Sequence, residues 1–161
     1  MNDIRENKKL SKQEAIPKIE RYCVYQERCH KEVSNKLYEY GLKTDEVMEV
    51  LNEMVKRGFL NEERFAKAYA GGKFRQKGWG KTKIIRELKS RAISDYCINK
   101  ALKEIESQDY TSTLEKLALK YISSHKTGKT WELKQKTLRH LMSKGYEYDQ
   151  CHEILDRLLN T

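Results

Sequence analysis

The segment LYEYGLKTDEVMEVL, residues 37–51, recurs twice along the chain and decides the fold. A shift of 51 residues aligns it with residues 88–102, and a further shift of 53 aligns that copy with residues 141–155. One register holds through the turn and both flanking helices without a gap, which predicts tandem copies of one module. The predicted repeat core consists of the leucines at matching positions: Leu37, Leu51, Leu88, Leu102, Leu141 and Leu155.

Each copy has the pattern of helices joined by tight turns. Gly41 follows the first helix of the segment, where the absence of a Cβ permits a left-handed cap. Thr44 or Asp45 then begins the next helix. One proline, eight glycines and few alternating Val- or Thr-rich runs argue against a sheet. We predict an all-α fold of three tandem three-helix repeats, stacked into an elongated, curved rod.

The helical pattern divides the chain into four parts. Residues 1–10 mix charges without periodicity and are predicted to form a flexible tail. Repeat 1 is predicted at 11–58, repeat 2 at 59–107 and repeat 3 at 108–161. Ser11 with Glu14 matches a capping box, although Pro17 requires the first helix either to kink or to start there.

Positive charge is concentrated in repeats 2 and 3. The chain carries a formal net charge of +9, and residues 73–91 hold eight basic side chains against a single carboxylate, Glu87. Residues 116–144 have the same balance, whereas repeat 1 largely lacks it. Stacked repeats would join the two segments into a basic face that suits phosphates or clustered carboxylates. The alternative interpretation is an ordinary solvated helix face.

Trp79 lies inside the first basic segment, between Gly78 and Gly80, where one helix stops and another begins. It could pack as a wedge between repeats or present an edge to a base or a partner side chain. The predicted binding residues are Trp79 and nine cations of the two segments: Lys73, Arg75, Lys77, Lys81, Lys83, Arg86, Lys134, Lys136 and Arg139.

Several function classes lack their sequence signals. The four cysteines are irregularly spaced, which favours buried thiols in a reducing compartment. Cys29–His30 and Cys151–His152 are adjacent pairs without a second pair at zinc spacing, so no metal is predicted. Phosphate-loop and nucleophile-elbow motifs are missing, and we expect neither cofactor nor catalysis. No apolar run reaches about 18 residues and no apolar signal segment follows Met1, so we expect a cytoplasmic monomer without membrane contact.

The run GFLNEERFAKAY at 58–69, followed by KFR at 73–75 and GWG at 78–80, resembles the RecX family of bacterial recombinase regulators. The pairs KI at 83–84 and EL at 87–88 belong to the same motif, and the likeness extends over about residues 12–159. Two features depart from the family pattern. Ala92 stands where a glycine is usual, and Gly71–Gly72 interrupts a helix that normally carries larger residues.

The resemblance implies three tandem three-helix repeats, no catalysis and binding to the RecA recombinase filament. Family members lie along the filament groove and restrain strand exchange, ATP hydrolysis and co-protease activity, which would make this chain a regulator of DNA repair and of the SOS response. Some members also bind DNA. The alternative function is a helical protein whose two basic segments bind the phosphates of single- or double-stranded DNA directly, independently of any recombinase.

Overall fold

The computed structural model describes residues 8–126 and 128–160, and over these ranges the chain forms nine α-helices and no strand. The predicted all-α fold is confirmed. The helices are α1 (Lys12–Tyr25), α2 (His30–Glu39), α3 (Thr44–Lys56), α4 (Glu62–Lys77), α5 (Lys81–Ser90), α6 (Asp95–Lys103), α7 (Ser107–Ser124), α8 (Thr130–Ser143) and α9 (Tyr148–Leu159).

Side-chain caps fix several helix starts. The Ser11 hydroxyl accepts the Glu14 N–H at 3.1 Å and begins α1 ahead of Pro17, which lies inside the helix. Asn61 and Ser94 accept the same kind of backbone hydrogen bond at the starts of α4 and α6, at 2.8 and 3.3 Å. Each cap satisfies an N–H group that would otherwise have no intrahelical partner.

The repeat register is visible in the backbone at the turn that follows α2, α5 and α8. Gly41, Ala92 and Gly145 occupy this turn with φ angles of +87°, +58° and +101°. A buried apolar residue follows in each case: Leu42, Ile93 and Tyr146. Ala92 thus adopts the same left-handed conformation as the glycines, at a cost of about 1–2 kcal/mol for its Cβ.

The predicted core leucines divide into two groups. Leu37, Leu88, Leu141 and Leu155 have no exposed surface. Leu51 and Leu102, on the third helix of repeats 1 and 2, are only half-buried. Leu51 packs on the margin of the core that α1, α2 and α3 form. The register therefore predicts that each leucine faces the core, but not how completely neighbouring residues cover it.

The chain divides into two compact units. The first contains the chain up to Phe65 together with Arg91–Ile93, and the second contains Ala66–Ser90 and the chain from Ser94 onward. The predicted repeat boundaries stay predictions. Of the predicted tail, residues 1–7 lie outside the described residues, whereas the Leu10 N–H donates to the Tyr40 carbonyl at 2.8 Å. Within the described ranges, no helix is long and apolar enough to cross a membrane.

Candidate filament- or nucleic-acid-binding surface

The predicted site is built around the loop Gly78–Trp79–Gly80 of the second unit, which joins α4 to α5. The Gly78 N–H donates to the Phe74 carbonyl at 3.0 Å, and Gly78 has a φ of +66°. This left-handed cap closes α4 and reverses the chain. The Trp79 N–H donates to the Lys73 carbonyl at 3.2 Å. This hydrogen bond holds the backbone of Trp79 against the last turns of α4.

The start of α5 is joined to the end of α8. The Gly80 N–H donates to the Lys144 carbonyl at 2.8 Å, and the Thr82 N–H donates to the Gly145 carbonyl at 3.0 Å. The first N–H groups and the last carbonyls of a helix have no partner within it. Here the two helix ends satisfy each other. A Cβ on Gly80 would overlap backbone atoms of Gly145 and Tyr146, so this close contact requires glycine.

Two buried tyrosines complete this contact. The Tyr146 hydroxyl donates to the Gly78 carbonyl at 2.9 Å. The Tyr110 hydroxyl accepts the Lys81 N–H at 2.9 Å and donates to Glu147 at 2.7 Å. Burial raises the pKa of both phenols, so they stay neutral hydrogen-bond donors. We call these contacts of Tyr110, Lys144, Gly145 and Tyr146 with the loop and the start of α5 the clamp.

The Trp79 side chain is half-buried, and the ammonium groups of two lysines lie against its ring. Lys73 Nζ lies 4.9 Å and Lys83 Nζ lies 4.4 Å from the centroid of the indole ring. The Tyr69 ring meets the indole edge-on at a centroid distance of 6.4 Å. Cation–π attraction of this kind contributes about 0.5–2 kcal/mol per pair and restricts flexible lysines. Trp79, on the clamped loop, therefore positions one positive charge from α4 and one from α5.

The other cations of the first basic segment lie in different surroundings. Lys77 and Arg86 are exposed, and among the described residues no carboxylate pairs with either. Lys81 Nζ lies 4.7 Å from the centroid of the Tyr110 ring, close to the clamp. Lys77 and Arg86 are thus available to an outside partner.

The position of the Arg75 side chain explains why Gly71, one of the two glycines inside α4, carries no side chain. Its guanidinium Nη1 lies 2.8 Å from the position that a Cβ on Gly71 would occupy. Gly71 therefore leaves room for Arg75 to fold back along α4. Arg75 lines a cavity of about 110 Å³ whose other lining residues include Phe74, Glu104 and Asp109. Arg75 is itself exposed, so its charge stays part of the proposed surface.

The three predicted binding residues of α8 differ in exposure and in ion pairing. Lys134 forms an ion pair with Asp156 of α9, and its side chain is only 14% exposed. Lys134 consequently belongs to the packing of α8 against α9, and we remove it from the proposed surface. Lys136 and Arg139 are exposed. Their spacing of three residues places them on neighbouring parts of one helix face.

Sequence reasoning missed the clamp. Tyr110 and Tyr146 hold the loop, yet neither was among the predicted site residues. A signal was present at Tyr146, because the matching positions of the other two copies hold the aliphatic residues Leu42 and Ile93. A hydroxyl at a buried, otherwise aliphatic position requires a partner, since an unpaired buried polar group is costly. The sequence does not show that this partner is the Gly78 carbonyl.

Comparison with known proteins gives consistent matches. Residues 61–102 match the family model of the RecX second three-helix domain, and residues 108–155 match that of the RecX third three-helix domain. The regulatory protein RecX of Clostridium perfringens strain 13 is 33% identical over 135 residues. That of Bacillus subtilis strain 168 is 29% identical over 134 residues. Each match covers 83% of this chain, but the chain spans only 63% and 51% of these relatives.

Solved structures show the same fold. The crystal structure of RecX from Lactobacillus salivarius superimposes with a TM-score of 0.81 at 22% identity, and the match covers 93% of this chain and 97% of that one. A second crystal structure, of a regulatory protein RecX, gives a TM-score of 0.82 at 21% identity and covers 90% and 73% of the two chains.

Proposed function

We propose, from the premise that this chain belongs to the RecX family, that it is a non-enzymatic regulator that binds the RecA recombinase filament. Binding would restrain recombination, ATP hydrolysis and co-protease activity of the filament, and so regulate DNA repair and the SOS response. The surface that we assign to this binding is centred on Trp79, with Lys73 and Lys83 beside it and with Lys77 and Arg86 at its margin.

The observation that carries this assignment is the pair of ammonium groups held against Trp79. Lys73 and Lys83 are long side chains that lose rotamer freedom when they bind a partner. The indole and the clamped loop already restrict them, so less entropy remains to be lost on association. Charges held at fixed positions match the fixed carboxylates of a folded protein better than the flexible phosphates of a free strand. The site therefore suits an acidic protein surface.

The free charges around the loop have a second role in this proposal. Lys77 and Arg86 are exposed and unpaired by carboxylates within the described part of the chain. Such charges at the margin of an interface speed association with an acidic partner more than they strengthen the final complex. Replacing them should lower the association rate and its dependence on ionic strength.

The test is capture of the chain by recombinase filaments assembled with ATP and single-stranded DNA, compared with DNA alone, together with the ATP hydrolysis rate. We expect Trp79→Ala, and the double variant Lys73→Gln/Lys83→Gln, to bind about 30-fold more weakly, because central aromatic anchors contribute about 2 kcal/mol or more. The matched controls are Tyr96→Ala and Lys100→Gln, because Lys100 Nζ lies 5.5 Å from the exposed Tyr96 ring on α6.

The controls separate this site from cation–π pairs in general. Loss of capture in the Trp79 and lysine variants but not in the controls supports the assignment. Equal loss in both sets would show that the loop is not the binding centre. Wild-type chain that fails to bind filaments at all would refute the proposed function itself.

Direct binding to nucleic acid is the second candidate function. It is favoured by a different observation, the exposed and positively charged face of α8 in the same unit.

A further inference from the structure

The outer face of α8 carries a combination of side chains that packing does not use. Trp131, Gln135, Arg139 and Met142 follow one another at spacings of four, four and three residues, which places them on one helix face. All four are exposed, with Trp131 at 62% and Met142 at 45%. We call this set the α8 face. It runs for about 16 Å along the helix axis.

Trp131 differs from Trp79 in its surroundings. The Trp79 ring is engaged by Tyr69 and by two ammonium groups, whereas no aromatic ring or cation of the described residues lies against Trp131. An exposed indole leaves a large apolar surface in contact with water, which is unfavourable. Its open ring surface is available to a planar ligand.

Four exposed cations lie near Trp131 in the chain, against one half-buried carboxylate, Glu132. Lys126 and Lys129 precede α8, and Lys136 and Arg139 lie on it. All four are exposed, and none of them pairs with a carboxylate in the part of the chain that the structure describes. In contrast, the neighbouring Lys134 is neutralised by Asp156. Lys126 and Lys129 thus come shortly before the exposed indole in the chain, and Arg139 lies on the same face of α8. This excess of unpaired positive charge favours a polyanion as the ligand.

We propose that the α8 face binds single-stranded nucleic acid, with Trp131 stacked on one base and the four cations on phosphates. This contact deepens the second candidate function and does not depend on the recombinase-binding loop. A length of about 16 Å accommodates about four or five nucleotides at roughly 3.4 Å each. A single strand fits better than a duplex, because only unpaired bases present their faces for stacking.

Fluorescence tests the stacking directly. The chain has two tryptophans, so Trp79→Phe leaves Trp131 as the only indole and Trp131→Phe leaves Trp79. Titration with a twelve-residue oligothymidine, in the absence of recombinase, should quench the emission of Trp131 and leave that of Trp79 nearly unchanged. Quenching confined to Trp79, or quenching of neither tryptophan, would overturn the proposal.

Affinity gives an independent measurement. Trp131→Ala should weaken oligothymidine binding about 5- to 150-fold, the range expected for one lost base stack, without changing its salt dependence. Arg139→Gln should instead lower the log–log salt slope by about 0.7. Because both side chains are exposed, circular dichroism should stay that of the wild type. Unchanged affinity in Trp131→Ala would refute the stacking role.

The same variants separate this proposal from the proposed function. Parallel titrations with oligothymidine and oligouridine distinguish DNA from RNA as the ligand. Binding of either that Trp131→Ala weakens supports the site, and binding of neither by the wild type overturns it. If Trp131→Ala lowers capture by recombinase filaments while the wild type binds no oligonucleotide, the α8 face is a protein contact and the proposal is wrong. Filament binding that persists in Trp131→Ala with oligonucleotide binding lost supports two separate surfaces.

Discussion

Gly80→Ala tests whether the clamp holds the site together. Gly80 is fully packed at the contact between the start of α5 and the end of α8, and its N–H donates to the Lys144 carbonyl at 2.8 Å. An added Cβ would overlap the Gly145 carbonyl group and the Tyr146 nitrogen, which are backbone atoms and cannot rotate away. The two helix ends must therefore move apart.

The cost follows from what this separation breaks. Two backbone hydrogen bonds, Gly80 to Lys144 and Thr82 to Gly145, are lost or stretched, at about 0.5–1.5 kcal/mol each. Overpacking of a closely packed contact adds about 1–3 kcal/mol. We expect a total of about 2–6 kcal/mol, a large part of the roughly 5–15 kcal/mol that stabilises a typical domain.

Denaturant unfolding followed by circular dichroism measures this loss, and Gly72→Ala is its matched control. Gly72 lies in α4, and a Cβ there would meet no atom within 4 Å. Alanine should therefore stabilise the control by about 0.5–1 kcal/mol, through its better helix propensity. Gly80→Ala should also bind filaments more weakly, because the Trp79 loop loses its support. An unfolding midpoint equal to that of the wild type would refute the clamp.

Three further predictions concern the core, the turn and the thiols. Leu88→Ala, at a fully buried position, should cost about 2–4 kcal/mol in denaturant unfolding, and an unchanged midpoint would mean that Leu88 is not a core residue. Ala92→Gly should stabilise the chain by about 1 kcal/mol, because glycine adopts the φ of +58° without strain. Gly58→Ala should destabilise it by a similar amount, because Gly58 has a φ of +78°, although the space around it is open. Melting temperatures that shift in the same direction for both variants would contradict this account. Burial raises the pKa of Cys23 and Cys151 to about 11, so both stay protonated at pH 8. They should react with a thiol reagent far more slowly than in urea, at a rate that rises as the pH approaches 11, and equally fast reaction of the native chain would disprove their protection.

The fold was predictable because its signals are local and repeated. Ser11, Asn61 and Ser94 each cap a helix by accepting the N–H three residues further along the chain, and the hydrophobic register marks Leu37, Leu88 and Leu141 as buried. Pro17 was ambiguous in sequence, since a proline can start or kink a helix. The Ser11 cap decides the question, because it already begins α1 ahead of the proline.

The site was less predictable because its contacts join residues that are far apart in the chain. Tyr146 donates to Gly78 across 68 residues, and no local pattern encodes that hydrogen bond. Charge alone also overestimates the surface. Lys134 and Arg139 are both cations of one helix, yet Asp156 neutralises the first and leaves the second free. Trp131 was not among the predicted binding residues, although it is the more exposed of the two tryptophans.

The clamp makes the binding loop a property of two repeats together. The N–H groups of Gly80, Lys81 and Thr82 all bond to residues beyond position 108, namely Tyr110, Lys144 and Gly145. A second repeat without the third would leave these donors to water and its loop without support. Because Lys73 and Lys83 approach the same indole from α4 and α5, their spacing depends on that support. The proposed Trp79 surface, in the segment predicted as repeat 2, therefore depends on hydrogen bonds from the segment predicted as repeat 3.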